Sequence, residues 1–266
     1  MTKTAYLGDL LREWRSIRGR SQLDVSLEAD ISQRHLSFIE SGRSAPGRDK
    51  LVNIAEALDV PLRERNVLLL AAGYAPLYPE GAWDAPQMKI ITKAVARMLK
   101  VQEPYPAVLM DRHWNVLAAN DALPRFFGRF VDMAARAGPR NLLHLMFDPF
   151  GMRPFIRDWE RTSASLIDRV RREAVGRVID PKTRELLDAL LAYSGMQDGR
   201  GFRGASADLP MIPLGFEKDG VTLNYFSMVS TIGTPTTVAA QELRVECMFP
   251  ADEETERCHA TFMDGP

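Results

Sequence analysis

Through residues 5–71 apolar side chains recur every three or four positions, a spacing that predicts a run of short helices. Leu7, Leu10, Leu11, Trp14 and Ile17 share one face of a helix over about 5–18, and Gly19 ends it. From Ser21 to Gly42 the pattern predicts two shorter helices around a tight turn. Leu23, Val25 and Leu27 give the first its apolar cover, Ala29-Asp30-Ile31 makes the turn, and Ser32 is a good cap for a second helix packed inward through Leu36 and Ile39. Gln33, Arg34 and Ser37 fall between those inward positions and face out. A helix over about 48–58 follows, inward through Leu51, Ile54, Ala55 and Leu58, and Pro61 opens a leucine-rich helix that closes at Gly73.

The texture then changes. Pro76, Pro79 and Pro86 remove backbone donors, so residues 74–86 read as a linker, and Tyr74, Tyr78 and Trp83 predict that it docks on one domain. A helix over about 87–101 with Ile91, Val95, Met98 and Leu99 leads into two short apolar strands around Arg112-His113. Helices are predicted from Asn120, over 141–147, over 154 to about 177, and over 181–193. The last third alternates with period two, as in Val221, Leu223 and Tyr225 or Leu243, Val245 and Cys247, which predicts antiparallel strands separated by turns at 218–220 and 233–237. Strand pair, helices, then strands resembles a PAS-like α+β order. The fold class is therefore two domains: an all-α five-helix helix-turn-helix bundle at 1–73, and an α+β domain at 87–250 with covering helices on an antiparallel sheet. Residues 251–266 are polar and acidic and read as a loose tail.

Composition narrows the classes of function. With 45% hydrophobic residues in 266, the chain can bury real cores. Cys247 and Cys258 are too few for a disulfide framework and read as free thiols of a reducing cytosol, a redox pair being the lesser alternative. No apolar run approaches the roughly 20 residues of a membrane span, and the start lacks a signal peptide's apolar core, so a cytoplasmic protein is expected. The net charge is −1. Residues 1–79 hold 11 Lys and Arg against 10 Asp and Glu, and the remainder 23 against 25. Distribution matters more: Arg12, Arg15, Arg18 and Arg20 crowd the end of the first helix, and Arg34, Arg43 and Arg48 surround the second helix of the pair. No H-E-x-x-H, paired C-x-x-C, P-loop or G-x-S-x-G occurs, and the four histidines are scattered, so neither an enzyme nor a bound cofactor or metal is expected.

A helix that buries Leu36 and Ile39 while exposing Gln33, Arg34 and Ser37 is what a helix-turn-helix needs, because its first turns must meet base edges in the major groove. Arg grips guanine bidentately and Gln grips adenine. Gln22, Ile31-Ser32, Ile39-Glu40-Ser41-Gly42-Arg43 and Ala55-Glu56-Ala57-Leu58 resemble the XRE-type helix-turn-helix family, to which the lambdoid phage repressors belong. The resemblance implies DNA contact by Gln22, Ser32, Gln33, Arg34, His35, Ser37, Arg43 and Arg48. Gln22 would cap the first helix of the motif and meet a phosphate, Gln33, Arg34 and Ser37 would read bases, and Arg43 would touch backbone. Phe38 departs from the family, which favours a polar residue there. It either touches a thymine methyl or packs on a neighbouring helix.

The stretches A-V-L-M-D-R-H-W-N-V-L-A-A-N-D-A-L-P-R-F-F-G, N-L-L-H-L-M-F-D and R-D-W-E are similar to the ligand-binding domain of MmyB-like transcription regulators, which follows an XRE head. That implies a transcription regulator whose partners are a two-fold DNA operator, a second copy of the chain and a small apolar effector, a fatty acid among the candidates. Trp114, Phe126, Phe127, Phe147, Trp159, Tyr225 and Phe226 are candidates to line an apolar cavity, with Asn120 as a polar contact; the alternative is that most are plain core. Two rivals stand beside this reading: a constitutive repressor whose second domain only dimerises, and an enzyme carrying a DNA-binding head.

Overall fold

Five helices, α1 (Lys3–Ile17), α2 (Gln22–Glu28), α3 (Gln33–Glu40), α4 (Arg48–Ala57) and α5 (Leu62–Ala71), build the first compact unit. The structure is a computed structural model and describes residues 3–136, 140–174, 180–194 and 213–264. This unit takes in the described residues up to Ala85 together with Gly233–Gln241; the second holds the remaining described residues. In α1, Leu7, Leu11 and Trp14 are buried, whereas Ile17 lies at the frayed end and is exposed. Gly8 lets α1 approach the carbonyls of Ile39 and Glu40 at the end of α3, where a Cβ would overlap both.

Ser21, not Gln22, caps α2: its hydroxyl accepts the Asp24 N–H, and the Asp24 carboxylate accepts the Ser21 N–H in return. Leu23 and Leu27 correct the sequence reading, being 50% and 74% exposed while Val25 is fully buried. Residues two apart on a helix are turned about 200° from one another, so these three cannot share a face. Asp30 makes the turn at φ 51°, and the Ser32 hydroxyl accepts the His35 N–H to start α3. The residue 74–86 stretch lies along α5. Buried Asn66 accepts the Leu77 and Tyr78 N–H groups and donates to the Tyr78 carbonyl. The first free amide of α5, on Leu62, donates to the Gln241 side chain at 2.8 Å.

The second unit opens with α6 (Lys89–Val101), inward through Val95 and Leu99. Strands β1 (Ala107–Met110), β2 (Val116–Ala119), β3 (Leu214–Lys218), β4 (Val221–Ser230) and β5 (Arg244–Pro250) form one antiparallel sheet in the order β2-β1-β5-β4-β3. Asp219 and Gly220, both at positive φ, make the tight β3–β4 turn. Helices α7 (Ala122–Gly128), α8 (Leu142–Phe147), α9 (Trp159–Glu173) and α10 (Pro181–Ser194) separate β2 from β3 in the chain. This is the PAS-like α+β arrangement. Its core centres on Phe126, whose ring meets those of Phe127, Phe130, Phe216 and Tyr225 at 5.3–5.5 Å.

Three expectations need correction. The helix expected from Pro154 begins at Trp159, because Asp158 sits at φ 48° and Ile156 pairs with Phe216 as an isolated bridge. Leu243, expected in the last strand, falls before it, between a short helix, α11 (Val238–Glu242), and the start of β5 at Arg244. The tail is no tail: α12 (Glu253–Asp264) packs on β4 and β5 with Thr255, His259 and Met263 buried. Those residues recur every four positions, a stripe hidden by the acidic first turn. Residues 209–212, the start of the first expected strand of the last third, lie outside the described residues.

Candidate functional site

In the first unit, the inward side of α3 does the holding. Leu36 and Ile39 are fully buried, and Glu40, 3% exposed, is an ionic hub. Arg15 donates to both its carboxylate oxygens at 2.7 and 3.0 Å, and the Gln22 amide donates to it at 2.8 Å. The hydrogen bond to Glu40 raises the Arg15 pKa despite partial burial. Gln22 therefore has its amide N–H turned to Glu40, leaving its carbonyl oxygen as the freer end.

The outward side holds nothing. Gln33 and Arg34 are exposed, and His35 and Ser37 are half-buried. Phe38 lies under two cations, with the Arg34 guanidinium 5.3 Å and the Arg43 guanidinium 5.9 Å from its ring centre. Stacking of this kind props both arginines on the surface without using their N–H donors. Arg12, Arg15, Arg18 and Arg20 do the opposite of what their crowding suggested. Arg12 pairs with Asp9, Arg15 with Glu40, Arg18 with Asp59 and Arg20 with Glu28. Arg63 and Arg65 pair with Glu80 and Glu56. Among the described residues of this unit, Arg34, Arg43 and Arg48 are the arginines with no carboxylate partner. Arg34 lies in α3, Arg43 follows it and Arg48 opens α4, so these donors fall between the start of α3 and the start of α4.

The second unit contains a cavity of about 130 Å³ between the sheet and α7, α8 and α9. Trp114, Phe127, Tyr225 and Phe226 line it. Phe126, Phe147 and Trp159 do not: the first two are fully buried core, and Trp159 is held edge-on against Phe147 with Arg153 over its face. Asn120 is a scaffold residue. It accepts the Ala107 and Leu123 N–H groups and donates to the Tyr105 carbonyl. The position of Trp114 is locally imposed, at φ 67° in a turn where the Asp111 carboxylate accepts the His113 and Asn115 N–H groups. A bulky side chain rarely adopts that conformation, and its indole is aimed into the cavity.

Sequence reasoning missed the polar wall. Ser165, Arg169, Ser227 and Glu246 line one side of the cavity. Arg169 donates to both oxygens of Glu246 at 2.8 and 3.1 Å and to Glu173 at 2.6 Å, and its guanidinium lies 4.6 Å from the Trp114 ring centre. Burial works against the Arg169 charge, and Glu246 with Glu173 outweighs it, so its pKa is pushed up. Arg244 donates to the other oxygen of Glu173, and burial pulls its pKa down. One hint was available: Glu246 is a carboxylate set among Val245, Cys247, Met248 and Phe249. Burial also pushes the Cys247 thiol up, away from thiolate reactivity. Among the described residues no group of three or more His, Cys, Asp and Glu could hold a metal, and no helix is long and apolar enough to cross a membrane.

Residues 91–261 match the family described as MmyB-like transcription regulator ligand binding domain, and residues 11–65 match the helix-turn-helix family. The chain is 42% identical over 67 residues to the transcriptional regulator ClgR of Mycobacterium tuberculosis, covering 25% of this chain and 57% of that protein. It is 37% identical over 60 residues to the uncharacterized HTH-type transcriptional regulator y4dL of Sinorhizobium fredii, covering 23% of this chain and 31% of that one. The match thus spans little more than half the length of ClgR and under a third of y4dL. The crystal structure of the clp gene regulator ClgR from Corynebacterium glutamicum matches at 20% identity over 39% of this chain and 97% of its own, with a TM-score of 0.25, which carries no structural argument.

Proposed function

We propose, from the premise that this chain belongs to the family of the MmyB-like transcription regulator ligand binding domain, that it is a DNA-binding transcription regulator whose second unit senses a small apolar effector. The observation that carries the DNA half is the contrast among arginines: those in α1 and α5 are paired, and Arg34, Arg43 and Arg48 around α3 are not. In this reading Gln33, Arg34 and Ser37 read base edges, His35 lies alongside them, and Gln22, Ser32, Arg43 and Arg48 meet phosphates. The chain acts as a homodimer on a two-fold operator with half-sites about 34 Å apart. An effector that binds one dimer arrangement more tightly than another changes operator affinity through linkage, without catalysis. The aromatic and apolar walls of the cavity support an apolar effector.

Operator titrations with two variants test the DNA half. Arg34→Ala is expected to cost about 1–3 kcal/mol and relax preference at one base position, whereas Arg43→Ala weakens all sequences alike and flattens the salt dependence. An Arg34→Ala protein with unchanged operator preference would refute the base-reading assignment.

A further inference from the structure

The cavity wall says which apolar effectors fit, an inference that rests on the sensing reading above. An anionic headgroup would need a cation with donors to spare, and Arg169 has few. It already gives both ends of its guanidinium to Glu246 and its Nε–H to Glu173. A ligand carboxylate could reach it only by displacing Glu246, which is 7% exposed and would be left buried without its partner. Glu246 itself faces the cavity, and with Glu173 it balances Arg169 and Arg244, so the wall offers an anion no net positive charge.

The same wall is well suited to a neutral group. Each oxygen of Glu246 takes one Arg169 hydrogen bond and keeps a second lone pair to accept another. The Ser165 hydroxyl makes no hydrogen bond among the described residues, and the residue is half-buried at the cavity. Trp114, with Arg169 against its ring, and Phe127 add apolar ring surface to the lining. Size sets the rest: about 130 Å³ is close to the roughly 150 Å³ of an engineered apolar cavity that takes up benzene. We infer that the cavity takes a small uncharged aromatic or alicyclic molecule carrying one hydrogen-bond donor, with the ring against Trp114 and Phe127 and the donor on Glu246 or Ser165.

Calorimetric titration of the full chain at pH 7.5 with benzyl alcohol, toluene and benzoate tests this. These share a ring and differ in polarity and charge. Benzyl alcohol is expected to bind at least tenfold more tightly than benzoate and several-fold more tightly than toluene. Benzoate binding as well as the alcohol, or none of the three binding, overturns the inference. Glu246→Gln, which leaves Arg169 short of one counter-charge, is expected to erase or invert the preference against benzoate; should that variant not fold, the wild-type ranking still decides. Operator titration with and without benzyl alcohol reads the sensing separately. Alcohol that binds and leaves operator affinity unmoved counts against sensing and leaves the ligand class standing.

Discussion

His259 shows at the scale of one residue how burial sets a protonation state. One ring nitrogen lies 3.0 Å from the Pro104 carbonyl, which can only accept, so Nε2 carries the proton and Nδ1 accepts from the Tyr225 hydroxyl at 2.6 Å. Burial pushes its pKa below the ordinary histidine value, against the pull of the Pro104 carbonyl. The unfolded chain therefore takes up a proton near pH 6.5 that the folded chain refuses, so this contribution to stability is present above that pH and is lost as the pH falls. Thermal midpoints across pH 7.5 to 5.5 are expected to fall, and to fall less in His259→Gln, which keeps a donor for Pro104; equal slopes in the two proteins would remove His259 as the cause. Tyr225→Phe strands Nδ1 and is expected to cost about 1–3 kcal/mol at neutral pH, read by urea unfolding. Asp180 works in a lower window. Burial opposes its charge, but the Thr183 hydroxyl, Arg112 and His113 hold its pKa down to about 2, so its share of stability is lost only in strong acid.

Among elements, α1 packs closely on α3. Gly8→Ala is expected to destabilise the first unit by about 1–3 kcal/mol, because the new methyl meets the backbone of Ile39 and Glu40, and backbone cannot rotate aside as a side chain can. A denaturant midpoint unchanged in that variant would mean that α1 is free to shift. Legibility in the sequence also follows the element. The turn into α3 was readable because its determinants are local: Asp30, the Ser32 cap, and Leu36 with Ile39 one turn apart. α12 was not, since its acidic first turn hides a buried stripe that makes sense only once β4 is beside it. The cavity was half legible. Aromatic composition pointed to Trp114, Phe127, Tyr225 and Phe226, but equally to Phe126, Phe147 and Trp159, and composition cannot separate a wall from a core. Arg169 and Glu246 stand 77 positions apart, and no local pattern announces that they meet.

For the whole molecule, a net charge of −1 makes nonspecific attraction to DNA weak, so affinity must come from a few placed cations. If Arg43 and Arg48 are the cations that meet phosphates, the slope of log affinity against log salt is expected to be about −4 for a dimer on two half-sites, and about half that for one head. A slope near −10 would mean that paired arginines such as Arg15 also reach phosphate. The Glu40 hub has a wider consequence. Since Glu40, Leu36 and Ile39 anchor α3 from behind, the side chains at its front carry little of the scaffold. If Gln33, Arg34 and Ser37 read bases as proposed, they form a cassette that can be exchanged to retarget the protein, leaving lineages descended from this chain free to acquire new promoters without loss of stability.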